Sequence, residues 1–399
     1  MLRTNSLLLF VGLTMLSSSS YAWLNDVGVE LEKASVFEVI PDKTTPQLTP
    51  GPSQQLLTQQ EARNANIEKI WGKVVPMSAS RLVFYSQDLK QRTVVDFAQN
   101  RIDVSLRASS SAARATKLSS ELEQVLTALI QVLNLTQHAA IEQLVDDLLL
   151  EQEDVIAIKA VLDDVLLLQD IFNSATPSAD TMSAMASTLM LRARKTAYLQ
   201  AGQSLSQPQH VTYEIPLPSV RVKRAAERIK PLAAQYALQA GVPLPLVMAI
   251  MHVESHFNPL AISPIPAYGL MQIVPATAGT DAINHLYADK APELTADYLL
   301  EPSNNIQLGS TYLALVYYGY FAGVKDPMSR AYVTIAAYNA GPTTTSRAFV
   351  TSGGIAAAIP MINKLSSEEV LMRLLQHLPA RETQRYVRKV LDHERFYRQ

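Results

Sequence analysis

Apolar and polar residues alternate in three short runs of the chain, Arg81 to Ser86, Thr93 to Phe97 and Ile102 to Leu106. Successive side chains of a strand point to opposite faces, so the alternation predicts strands with one buried face. Asp88 with Gln91, and Gln99 with Asn100, are turn-like breaks between them, and the set reads as an antiparallel meander. Val211, Tyr213 and Ile215 alternate in the same way and predict a further strand over His210 to Leu217. Between these strands, over 110–202, the period changes. Ser120 and Glu123 fit a capping box, and Leu122, Val125, Leu126, Leu129, Ile130 and Leu133 recur at helical spacing. A second helix is expected around Leu144, Val145, Leu148 and Leu149, a third over Val155 to Phe172 and a fourth over Ala184 to Leu199. These leucine stripes fit two uses, packing on one another and on the sheet, or recruiting a partner. No heptad persists long enough to specify a coiled coil.

From Val220 onward the pattern is helical. Val222 to Ala240 reads as one helix ended by Gly241. Pro245 suits the first turn of the next, which runs through Ile250 and Glu254 and stops near Asn258-Pro259. A helix can begin at Pro275, and another ends at Gly341-Pro342. This predicts an α+β N-terminal accessory domain with an antiparallel sheet and helical region, over 61–219. An all-α domain over 220–399 follows.

Composition narrows the classes. The chain has 399 residues, 48% hydrophobic and 18% charged, enough for more than one packed domain. Its net charge of −2 gives no electrostatic footprint for nucleic acid, and no phosphate-binding glycine loop or nucleic-acid motif is present. The count of cysteines is 0, which removes disulfides, thiolate nucleophiles and Cys-based zinc sites. Arg3, the apolar run Leu7 to Leu16 and Ser20-Tyr21-Ala22 read as a signal peptide over 1–22, so a periplasmic, exported protein is expected. The alternative is an uncleaved anchor. Without cysteine, a lipid on a processed N-terminal cysteine is not expected. Pro41, Pro46, Pro50 and Pro52 mark 23–60 as a linker or poorly ordered arm.

The candidate chemistry centres on Glu254. Ile250 and Met251 lie one helical turn before it and Phe257 follows one turn after, so its face is apolar. Burial disfavours a carboxylate and raises its pKa, which suits a general acid near neutral pH. The plainer reading is a glutamate exposed at a helix end or paired with an arginine. Gln272, in Gly269-Leu270-Met271-Gln272, can donate and accept, and Tyr338 can stack on a sugar or pack in the core.

Together the segments Glu254-Ser255, Asn258-Pro259, Ser263, Gly269-Leu270-Met271-Gln272, Asn305-Ile306 with Gly309 and Tyr312-Leu313, Ala337-Tyr338-Asn339-Ala340-Gly341, and Glu382-Thr383 with Tyr386-Val387 resemble the family 1 lytic transglycosylases. Their order is that of the soluble-lytic-transglycosylase (SLT) catalytic domain, which has a goose-type, lysozyme-like fold. Asn66 to Gly72 and the strands through Phe97 and Val104 also resemble the N-terminal domain of a membrane-bound member. That member is a lipoprotein, and this chain lacks the cysteine.

The resemblance implies cleavage of peptidoglycan glycan strands between N-acetylmuramic acid and N-acetylglucosamine, without water and without a cofactor. It implies Glu254 as acid and then base, giving 1,6-anhydro ends. Ser263, Gln272 and Tyr338 would hold substrate, Tyr386 would close the site, Met271 and Asn339 would line it, and Ser255 would support Glu254. Two rivals stand beside it. One is a hydrolase with a second carboxylate, for which Asp281, Asp289, Glu293 and Asp297 are candidates. The other is a wall-binding scaffold. His252 and His256 lack the order of a zinc-protease motif, so no metal is expected. The partner expectations are glycan strands, peripheral contact with a membrane, and cell-wall proteins through 110–202. The basic residues Arg381, Arg385, Arg388, Lys389, Arg395 and Arg398 suit acidic wall peptides or a solvated helix.

Overall fold

The computed structural model describes residues 53–107, 114–150, 152–174, 176–198, 210–264, 266–287 and 291–399. The expected signal peptide lies outside them, as does the arm up to residue 52. The end of that arm is helical instead of irregular. Ser53 caps helix α1 (Gln54–Trp71) by accepting from the Leu56 amide, and Gly72 ends it at φ 78°.

Strands β1 (Arg81–Tyr85), β2 (Gln91–Asp96) and β3 (Arg101–Arg107) form the expected meander. Helices α2 (Arg114–Leu133), α3 (Gln137–Leu148), α4 (Gln152–Val161) and α5 (Ala179–Met190) follow. Then come strands β4 (Arg194–Tyr198) and β5 (His210–Pro216). The sheet is antiparallel with order β1-β2-β3-β5-β4.

Three expectations change here. Ser120 lies inside α2, accepting from the Gln124 side chain, and caps nothing. The third helix stops at Val161, because the backbone at 165–167 bonds across to 135–137 (Gln137 N to Val165 O, 2.9 Å; Leu167 N to Leu135 O, 2.8 Å). The fourth stops at Met190, and part of its expected length is β4. Leucines of the helical region do pack inward: Val125, Leu129, Leu133, Ile141 and Leu144 share a core with Leu82, Val95, Ile102 and Ile215 of the sheet.

The second unit is helical: α6 (Val220–Ala240), α7 (Leu244–Ser255), α8 (Thr280–Leu286), α9 (Ala296–Leu300), α10 (Pro302–Ala314), α11 (Pro327–Ala340), α12 (Pro342–Ser346), α13 (Gly354–Ile362), α14 (Ser367–His377) and α15 (Arg381–Tyr397). Helix α7 is its axis. Leu246 through Met251 are all buried, so protein surrounds this helix on every side. Among the described residues no helix is long and apolar enough to cross a membrane.

The two units are joined through polar and apolar contacts. Arg221, 1% exposed, donates to Asn100 Oδ1 at 2.6 Å and to Phe97 O at 3.1 Å, with its guanidinium over the Phe97 ring. Arg228 grips Asp170 through two bonds of 3.1 and 2.9 Å. Leu260, Ile262 and Leu300 belong to the sheet's hydrophobic core. The loop after α7 is therefore held by both units.

Candidate active site

The end of α7 presents Glu254. The chain leaves this helix through His256 and Phe257, both left-handed at φ 51° and 59°. Non-glycine residues adopt this conformation at a cost, so the surrounding packing must hold it. Ser255 is fully buried and donates to Met251 O at 3.1 Å and to Leu270 O at 2.9 Å. This hydroxyl ties the Glu254 helix to the 269–272 segment.

Glu254 is half-buried. Protein around its carboxyl pushes the pKa up to about 7 through desolvation; the nearby Tyr386 hydroxyl counters this, and the charge of Glu382 adds to it. The apolar surroundings expected from the helix pattern thus have the expected electrostatic effect. Tyr386 comes from α15, which packs along α7. Its hydroxyl is buried with no partner at ordinary hydrogen-bond geometry, yet lies close enough to Glu254 to favour the ionised carboxylate. Tyr338, on α11, is the second phenol whose ionisation Glu254 opposes; its pKa is driven well up by burial and then by the Glu254 charge.

The 269–272 segment is built around Asn305 of α10. That buried amide accepts from Met271 N at 2.8 Å and donates to Tyr268 O at 2.8 Å and Leu299 O at 2.7 Å. Gly269 sits at φ +73°, where an added Cβ would stand 2.3 Å from Asn305 Nδ2. Gly309 lets α10 approach Met271, since a Cβ there would lie 2.4 Å from its sulfur. Asn305 and Gly309 received no role from the sequence. Their signal was membership of the Asn305-Ile306 and Gly309 motif.

Several side chains differ in use from the sequence expectation. Met271 is 0% exposed and lies beneath the site, not on its wall. The Tyr338 hydroxyl, expected to reach a sugar, donates to Met271 O at 3.0 Å, and its ring lies 5.7 Å from that of Tyr312. The Gln272 amide nitrogen donates to Ala261 O at 3.1 Å and Gly269 O at 2.9 Å, with the residue at φ 51°. Its side-chain carbonyl takes part in neither bond. The Ser263 hydroxyl accepts from Ala267 N at 3.1 Å. Asn339 is exposed beside Tyr338.

Of the carboxylates proposed as a second acid, Asp281 accepts from the Tyr320 hydroxyl at 2.8 Å, and burial raises its pKa. Glu293 is exposed, Asp297 lies in the first turn of α9, and Asp289 is outside the described residues. The acid whose charge acts on Glu254 is Glu382, in the first turn of α15, which the sequence had supplied only as part of a motif.

His252 and His256 lie edge to face, with ring centres 5.4 Å apart. The His252 ring stacks on His393 at 3.8 Å, and its Nδ1 is bonded to the Tyr397 hydroxyl at 2.9 Å. Burial holds His252 down to about 3 and His256 to about 4, so both rings are neutral near pH 7. A cavity of about 110 Å³ lined by Tyr236, Gln239, His285, Gln307 and Thr311 shares no residue with the Glu254 cluster.

Residues 231–358 match the family described as Transglycosylase SLT domain. This segment is similar to a transglycosylase SLT domain. It holds Glu254, the 269–272 segment and Tyr338; Tyr386 and Glu382 lie beyond the match, on α15. Among curated proteins, the chain is 37% identical over 205 residues to the membrane-bound lytic murein transglycosylase C of Haemophilus ducreyi, covering 51% of this chain and 53% of that protein. To the protein of that name from Serratia proteamaculans it is 35% identical over 191 residues, covering 47% and 52%. The chain spans about half the length of these curated relatives. Among solved structures, the 70 kDa soluble lytic transglycosylase of Escherichia coli is similar at 19% identity and a TM-score of 0.34, over 73% of this chain and 37% of that one. That likeness is too loose to place any residue.

Proposed function

We propose that the chain is a peptidoglycan lytic transglycosylase that cuts the bond between N-acetylmuramic acid and N-acetylglucosamine without water. The observation that carries this reading is the Glu254 carboxyl, held at a pKa of about 7 at the end of a buried helix inside an SLT domain. A carboxyl with that pKa exists in both forms at neutral pH, and the reaction uses both.

In the first step Glu254 gives its proton to the glycosidic oxygen, and the bond from that oxygen to C1 of the muramic acid breaks. Glu254 is then a carboxylate, beside the Tyr386 hydroxyl that favours this form. In the second step it takes the proton of the sugar's own C6 hydroxyl as that oxygen closes on C1. One carboxyl finishes as it began, and the product is a 1,6-anhydro end. The Gln272 carbonyl and exposed Asn339 are the site groups left for the sugar's polar substituents. Met271 and Asn305 act beneath them as support.

Curated relatives carry the name membrane-bound. For this chain we propose export to the periplasm and peripheral contact with the outer membrane, with cell-wall proteins as partners of 110–202. The reading is tested by the clearing of purified peptidoglycan suspensions. Glu254→Gln should lose turnover while still sedimenting with the wall polymer. A variant that clears the suspension at the parent's rate would remove Glu254 from its role.

A further inference from the structure

The face of the accessory sheet turned away from its core concentrates positive charge. The strand register sets Tyr85 opposite Arg92, Arg92 opposite Ser105, and Ser105 opposite Thr212, so these side chains form a row across β1, β2, β3 and β5. Arg107 and His210 are paired two residues further along and therefore share that face. The opposite face carries Leu82, Val95, Ile102 and Val104 into the core that Leu260 and Ile262 complete. The basic face thus looks away from the seam with the Glu254 domain.

Helix α1 closes over the row with Trp71. The Arg92 guanidinium stands 4.6 Å from the centre of that ring, and the His210 ring 5.3 Å from it. Arg92 is only 8% exposed. One of its nitrogens reaches the Ser105 hydroxyl at 3.5 Å, the outer limit of a hydrogen bond, and its buried Nε has no partner. Arg107 Nη1 and the Tyr85 hydroxyl are also buried without a partner. Among the described residues Arg92, Arg107 and the exposed Lys73 make no ion pair. Acids in the adjoining row are already engaged, Asp103 by Arg101 and Glu214 by Arg194. Besides burial, the charges that hold His210 down are those of Arg92, Arg107 and Lys73, which places the three cations around one point. Withdrawing guanidinium N–H groups from water without an acceptor or a counter-charge is costly, and an oxyanion satisfies both needs.

We propose that this row is an oxyanion site on the accessory domain. It takes one carboxylate or phosphate group between Arg92 and Arg107, with the Tyr85 hydroxyl as a further donor and Lys73 at its mouth. The site is separate from Glu254 and does not depend on what Glu254 does.

The test titrates the full chain by calorimetry with inorganic phosphate and, separately, with the diacidic peptide N-acetyl-alanyl-glutamate. Saturable binding of either probe is expected, weakened by about tenfold in Lys73→Ala and lost in Arg107→Met and Arg92→Met. Turnover of peptidoglycan by Lys73→Ala should equal the parent's. Binding of phosphate alone assigns the site to a phosphate-bearing ligand; binding of the peptide alone assigns it to a carboxylate. Arg92 supports the Trp71 packing, so the exposed Lys73 and the half-buried Arg107 keep the test decisive if Arg92→Met fails to fold. No saturable binding of either probe, or binding that Lys73→Ala and Arg107→Met retain in full, would overturn the proposal.

Discussion

Ser255 donates its hydroxyl to the Leu270 carbonyl at 2.9 Å and so joins the residue after Glu254 to the segment that faces it. Ser255→Ala leaves that buried carbonyl without its donor. We expect a loss of about 1 kcal/mol in unfolding free energy, read from the urea midpoint. A fall in kcat larger than this stability loss explains would show that the bond positions Glu254. Unchanged kcat would mean that helix packing alone sets its place.

Gly269 and Asn305 are fitted to each other. Gly269→Ala forces a methyl onto the Asn305 amide at a left-handed backbone position. Asn305→Ala leaves the Met271 amide and two carbonyls unpaired. Each should destabilise by roughly 2–4 kcal/mol, and the double variant should cost less than the sum because both act on one contact. Additive losses in chemical denaturation would separate the two residues.

Glu254 makes stability depend on pH in a stated direction. Its folded pKa of about 7 lies above the ordinary carboxyl value of 4.5, so the folded state holds the proton more tightly. Folding therefore incurs no penalty from this group below the unfolded value. The penalty grows as pH rises through the window between the two values and is complete above the folded one, reaching at most about 3 kcal/mol. Glu254→Gln removes it. The variant should melt higher than the parent at pH 8 and close to it at pH 4; equal melting at both would place the carboxyl in a more solvated setting.

Tyr386→Phe removes a hydroxyl that favours ionised Glu254. The Glu254 pKa should then rise, moving the alkaline limb of kcat/KM to higher pH, while kcat falls because the carboxylate formed in the first step loses support. A limb that stays in place, measured across about pH 5 to 9 on soluble glycan fragments, would detach Tyr386 from Glu254.

Much of this fold is legible where each element answers to a local period. β1 to β3 are legible as short apolar runs between turns, although the middles of β1 and β2 are buried on both faces, Val83 and Val94 included. β4 escaped because Arg194, Lys195 and Thr196 are exposed at a sheet edge, and their partners, Glu214 and Glu121, are distant in sequence. The Val155 to Phe172 run was too long as a helix because its bonds to 135–137 are tertiary. In the site, Glu254 and its raised pKa follow from the apolar face of α7. What could not be read is which polar groups spend themselves on the scaffold. Tyr338, Gln272 and Ser263 look like ligands in sequence, and only geometry shows each bonded to neighbouring backbone.

Mass spectrometry of the fragments released from purified peptidoglycan tests the central claim most directly. A single carboxyl acting as acid and then base predicts muramic acid ends one water lighter than reducing ends, with none from Glu254→Gln. Reducing ends as the main product would contradict it, and Glu382, the acid whose charge reaches Glu254, would then be the carboxylate to examine.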